Sequence, residues 1–152
     1  MEYKIEDLLQ RIEILEKKLE ITEDVHKIQN LMARYMYLHN AGKNELARKC
    51  FSERDDTTIE FHSCGKLSKD GMMKMYSPEV MKNNHMPKSE LPMMIEHTLT
   101  TPCVEVAGDG KTAKGIWISP GHETMMDKAN WAWFKYGVDF IKEKGECVKG
   151  LS

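Results

Sequence analysis

The chain has no CxxC pair, no apolar run long enough for a membrane, no glycine-rich phosphate loop and almost no net charge, and each absence removes a class of function. Its four cysteines, Cys50, Cys64, Cys103 and Cys147, lie far apart, so neither a zinc site nor a local disulfide is indicated and reduced thiols are expected. No stretch reaches the roughly 18 apolar residues of a membrane helix. The opening residues, MEYKIEDLLQ, are charged and amphipathic, unlike a signal peptide. A cytoplasmic protein without membrane contact is expected. Twenty-two basic against 24 acidic residues, interspersed along the chain, give a net charge of −2, so no global field draws nucleic acid. None of the six histidines pairs at the i, i+4 spacing of helical metal ligands, and no GxSxG elbow exists. What remains is acid–base chemistry, with no metal and no cofactor expected.

With 152 residues and 41% hydrophobic content, the chain has the material for one core with some length to spare. Ile5, Leu8, Ile12, Leu15 and Leu19 recur at spacings of three and four, the stripe of a helix that docks on something. Residues 1–21 are therefore read as a helical extension, lying on its own body or on a second subunit, and 22–152 as the domain. Thr22 is placed to cap a second helix through Ala41, with Glu23 and Asp24 in its acidic first turn and Gly42 as its stop. A short helix over 44–50 should follow. Beyond it the pattern turns to strands, over 57–61, 93–106, 111–119 and 131–142, with a short helix at 69–76 and a polar, proline-interrupted loop at 82–92 that could serve as a lid. Pro102 demands a bulge or an edge. In the last long strand Phe134, Tyr136, Val138 and Phe140 share one face and Trp131, Trp133 and Lys135 the other. Helices followed by antiparallel hairpins give an α+β domain.

The chemistry-bearing residues are few. His97 opens a strand continued by Thr98, Thr100 and Thr101, polar for a β segment, which suits an imidazole facing a cavity as well as one satisfied in the core. Tyr35 and His39 stand one turn apart near the end of the long helix, with Asn40 beside them; His39 could simply cap the helix end. His62 precedes the turn at Gly65, and His85 falls in the polar loop. Twelve methionines, clustered at Met72-Met73-Lys74-Met75 and elsewhere, fill irregular apolar space or line a flat ligand.

The stretches ARYMYLHNAGKNELARKCF, HSCGKL and HTLTTPCVEVAGDGKTAKGIWIS resemble SnoaL-like domains of the nuclear transport factor 2-like superfamily, in the group that includes scytalone dehydratase and the bile-acid 7α-dehydratase. The resemblance implies a cone of curved antiparallel sheet wrapped on N-terminal helices. It also implies a metal-free dehydratase or isomerase acting on a small, cyclic, hydrophobic substrate, with His97 as acid–base group, Tyr35 polarising a carbonyl and Asn40 within reach of the imidazole. His62, Met73, Trp117 and Trp133 are expected to line the substrate site. Two features depart from the pattern: Asn40 stands where these dehydratases carry an aspartate, and the chain ends before their further long strand, so the last strand is expected to be missing. The alternative is a non-catalytic ligand-binding or dimerisation module of the same fold. In either case a homodimer is expected, because the apolar stripe and the Trp-rich strand present more hydrophobic surface than a monomer should leave in water.

Overall fold

The structure, a computed structural model, describes residues 4–61, 65–77, 94–125, 128–143 and 145–150. Its first element is one unbroken helix, α1 (Ile5–Asn40), where two were expected. Thr22 does not cap: its Oγ1 donates to the Lys18 carbonyl at 2.9 Å, the back-bond a hydroxyl makes inside a helix. With neither Gly nor Pro between Leu19 and Asp24, nothing stops the ladder. The end comes where expected. Gly42 adopts φ +66, the Gly42 amide donates to the His39 carbonyl at 2.9 Å and the Lys43 amide to the Leu38 carbonyl at 2.8 Å, which together form a Schellman stop. The short α2 (Asn44–Ala47) and a 3-10 turn (Arg48–Cys50) follow.

Strands β1 (Thr58–Phe61) and β2 (Gly65–Ser68) form an antiparallel pair that leads into α3 (Lys69–Met75). Ser68 caps α3 by accepting from the Gly71 amide. The larger sheet is antiparallel among the described residues. Strand β5 (Thr112–Met125) pairs on one edge with both β3 (Ile95–His97) and β4 (Thr100–Val106), and on the other with β6 (Lys128–Glu143). The register of β4 shifts between Thr100 and Cys103, and Thr101 sits at φ 48, the bulge that Pro102 required. The chain closes on β7 (Glu146–Gly150), which pairs with residues 139–143 of β6. A last strand is therefore present but short, and among the described residues the rest of that edge of β6 has no partner strand. The polar loop at 82–92 and His62, His85 and Cys64 lie outside the described residues.

Alternation fixes the inner face of the sheet. On β5, Ala113, Gly115, Trp117, Ser119 and Gly121 are all buried, while the alternate residues Thr112, Lys114 and Ile116 are exposed. The helix supplies the complementary stripe, Ile28, Met32, Tyr35 and Met36, at the spacings one helical face requires. Two core clusters result. One joins Ile28 and Met32 to Ala113, Trp117, Val138 and Phe140; the other joins Tyr35 and Met36 to Ala47, Cys50, Phe51, Met72 and Tyr76. Lys142 ties the sheet to α1 by reaching Asp24 at 2.6 Å and Glu20 at 3.1 Å. No described helix is long and apolar enough to cross a membrane.

Candidate functional site

The site is assembled where the C-terminal end of α1 meets β3 and the far half of β5. Asn40 does not reach the imidazole of His97. It grips that residue's backbone instead: its Nδ2 donates to the His97 carbonyl at 2.7 Å and its Oδ1 accepts from the His97 amide at 3.1 Å. A primary amide can donate and accept at once, which an aspartate cannot, so Asn40 serves as a two-point clamp of β3 onto the helix end.

The carboxylate that faces the imidazole comes from the sheet. His97 lies opposite Gly121 and Ile95 opposite Glu123, so His97 and Glu123 are diagonal neighbours on the inner face. The His97 Nε2 lies 3.1 Å from Glu123 Oε1, with the imidazole 4% exposed and the carboxylate 22%. Glu123 escaped sequence reasoning because the strand was expected to stop at Ser119, before Pro120 and Gly121. The strand tolerates Pro120 because its edge toward β3 and β4 is interrupted at Thr98 and Leu99, and the Pro120 carbonyl accepts there from the amide and the hydroxyl of Thr98. Gly121 is required by proximity: a Cβ there would stand 2.5 Å from His97 Nδ1 and 2.6 Å from the Glu96 carbonyl oxygen.

A row of rings connects His97 to the helix. His97 meets Phe134 edge-on at 5.1 Å and stacks on His39 at 5.9 Å, and His39 stacks on Tyr35 at 6.0 Å. The Tyr35 and Tyr76 hydroxyls are 2.6 Å apart in a buried hydrogen bond. Burial, reinforced by the neighbouring Tyr76 and Tyr136 phenols, holds Tyr35 well above the ordinary tyrosine range. Burial pushes Tyr76 up to about 12, with the Tyr35 hydrogen bond working the other way. Burial raises Tyr136 as well, and Tyr76 and Glu123 add to it. All three phenols therefore stay protonated, and able to donate, at neutral pH. His97 Nδ1 and Ser119 Oγ, both on this inner face, are among the buried polar atoms of the described residues that have no protein hydrogen-bond partner.

The other expected residues are dispersed. Met73 packs against the cluster that contains Tyr35 and Tyr76, near the phenols. Trp117 is 3% exposed and fills the other cluster, meeting Phe140 edge-on at 6.0 Å; its indole lies over Gly115, where a Cβ would come within 2.4 Å of the ring. Trp133 is 72% exposed, on the opposite face of β6 from Phe134 and therefore away from His97. No three His, Cys, Asp or Glu side chains among the described residues are grouped to hold a metal.

Known structures share this architecture at low identity. The chain superposes on a provisionally named scytalone dehydratase from Novosphingobium aromaticivorans with a TM-score of 0.69 at 12% identity, covering 90% of this chain and 84% of that one. A nuclear transport factor 2-like protein with a cystatin-like fold from the same organism gives 0.63 at 16% identity, covering 97% and 86%. The beta subunit of benzoate 1,2-dioxygenase from Burkholderia mallei gives 0.61 at 11% identity, covering 82% and 84%. These likenesses concern the fold. No curated protein matches the sequence. The SnoaL-like domain family matches residues 20–146, from just before Asp24 on α1 to the start of β7, and the chain belongs to that family.

Proposed function

We propose that the protein binds a small, cyclic, hydrophobic molecule against the inner face near His97 and removes water from it, or moves a double bond within it, by proton transfer. The observation that carries this reading is the buried His97–Glu123 pair at 3.1 Å. A carboxylate beside one ring nitrogen orients the imidazole, and His97 is the group that exchanges a proton with substrate. Tyr35 and Tyr76, protonated and hydrogen-bonded to each other, leave one phenolic O–H of the pair as a donor for a developing oxyanion. Asn40 is a positioning residue that fixes the His97 backbone, and Met73 offers an adaptable apolar wall. The scytalone dehydratase neighbour is consistent with the chemistry.

A second reading is a non-catalytic module. It draws on the commitment of Asn40 to backbone bonds and on the structural likeness to an oxygenase beta subunit. Assembly as a homodimer belongs to both readings, supported by Trp131 and Trp133, which are 79% and 72% exposed on the outer face.

A ligand-observed NMR screen of cyclic β-hydroxy ketones and their dehydrated products separates the readings. Hits are incubated with protein and followed by mass spectrometry for loss of one water and by proton NMR for a displaced double bond. The enzyme reading expects turnover by the native chain, with His97→Gln and Glu123→Gln binding the same hits but losing most activity. Binding without turnover, or turnover unchanged in His97→Gln, would leave the module.

A further inference from the structure

Every residue from 4 to 20 is exposed, although this part of α1 carries Ile5, Leu8, Leu9, Ile12, Leu15 and Leu19, which are 43 to 75% exposed. The helix first buries a residue at Asp24. Its arm therefore projects about 24 Å beyond the body at 1.5 Å per residue, with an apolar stripe that nothing among the described residues covers. Helices of this length are marginal alone in water. Such a stripe needs a partner, and the charges flanking it identify which.

We propose that residues 5–22 of two copies of this chain form a parallel, in-register, two-stranded coiled coil. With Ile5, Ile12 and Leu19 at a and Leu8, Leu15 and Thr22 at d, the e positions are Leu9, Glu16 and Glu23, and the g positions are Lys4, Arg11 and Lys18. In a parallel pair each g residue faces the e residue of the next heptad on the other chain. That places Arg11 against Glu16 and Lys18 against Glu23, twice each by symmetry. An antiparallel pair would set g against g and e against e, so Lys4, Arg11 and Lys18 would repel one another and so would Glu16 and Glu23. Ile at a with Leu at d is the packing that selects two strands over three or four. Thr22, at the last d position, already donates its hydroxyl to Lys18 and brings no unsatisfied group into the seam. Nucleation is not a barrier, because the arm continues a helix whose second half is docked on the sheet and held by Asp24, Glu20 and Lys142.

This inference deepens the homodimer part of the reading above and is independent of the chemistry at His97. It is tested on the full chain. Leu8→Cys and Leu15→Cys, prepared separately, should each cross-link efficiently under mild oxidation, because d positions face their own copies within disulfide reach in a parallel register. Glu13→Cys, at the outward b position, should not exceed the native chain, and digestion with mass spectrometry identifies the linked residues. Light scattering should give a dimer at micromolar concentration. Lys18→Glu should weaken it about tenfold, since two symmetry-related pairs turn from attractive to repulsive, and mixing Lys18→Glu with Glu23→Lys should restore it. Links that form only when Leu8→Cys is mixed with Leu15→Cys would mean an antiparallel pair and overturn the proposal. A trimer would overturn it as well. A dimer with no arm cross-link would overturn the coiled coil and leave the homodimer standing through its Trp face; a monomer would remove both. Circular dichroism of each variant confirms that the body, which these exposed positions do not touch, is folded.

Discussion

Replacing Gly121 by alanine tests whether the His97 site has the geometry described. The new methyl carbon would meet His97 Nδ1 at 2.5 Å and the Glu96 carbonyl oxygen at 2.6 Å, each well inside a tolerable contact. The imidazole could swing aside only by leaving Glu123 Oε1 at 3.1 Å and the Phe134 ring at 5.1 Å. The Glu96 carbonyl is backbone and cannot rotate away without pulling β3 from β5 and straining the Asn40 clamp. Overpacking of this kind costs about 1–3 kcal/mol, which for a domain of this size lowers Tm by roughly 3–10 °C. Gly137→Ala is the matched control: that glycine lies exposed in β6 with nothing within 4 Å of its added Cβ, and relieving a strand-interior glycine should stabilise by about 0.5 kcal/mol. Urea unfolding of both variants reads the difference directly. Gly121→Ala within about 0.5 kcal/mol of the native chain, a surface-like effect, would refute the close approach of β3 to β5.

Asn40→Asp should destabilise by about 1–3 kcal/mol rather than activate, because the lost Nδ2 donor leaves the His97 carbonyl facing an anion; denaturation at neutral pH checks it, and unchanged stability would contradict the clamp. Lys142→Met should cost roughly 3 kcal/mol by leaving the buried Asp24 with only Lys27 at 3.6 Å, and adding Asp24→Asn should recover much of the loss. Alkaline stability should fall from about pH 10 upward, where unfolded tyrosines begin to ionise. Tyr76 is raised to about 12 in the folded chain, so its contribution is intact below pH 10 and roughly 2–3 kcal/mol is lost as pH climbs through the folded value. Tyr76→Phe should flatten that decline, as followed by fluorescence during a pH titration.

The fold was legible because its signals are periodic. The Gly42 stop, the Pro102 bulge and the two faces of β6 all follow from residue types and spacing that a single sequence displays. Thr22 misled because one hydroxyl serves equally as a cap or as a back-bonding residue inside a helix, and only the absence of a breaker decides. At the candidate site, His97 and Tyr35 could be singled out by residue type, but the groups they meet in the structure could not. Glu123 lies beyond a Pro-Gly pair that ordinarily ends a strand, although the alternation of small inner residues from Ala113 through Gly115, Ser119 and Gly121 runs straight through it. Trp117 and Trp133 carry the same chemistry in sequence and opposite fates in space. Strand parity separates them, one in the core and one on the outer face.

The long pairing of β5 with β6 also sets an order of events for folding. Its register runs from Met125 opposite Lys128 out to Thr112 opposite Ile141, so it can zip outward from residues adjacent in sequence, on the microsecond scale of hairpin formation. The contacts that join α1 to this hairpin are distant in sequence, Glu20 and Lys142 being 122 residues apart, and must wait for a large loop to close. The expected order is therefore hairpin first and helix docking second. Substitutions at Phe140 and Val138 should slow refolding, whereas loss of the Asp24–Lys142 tie should chiefly speed unfolding.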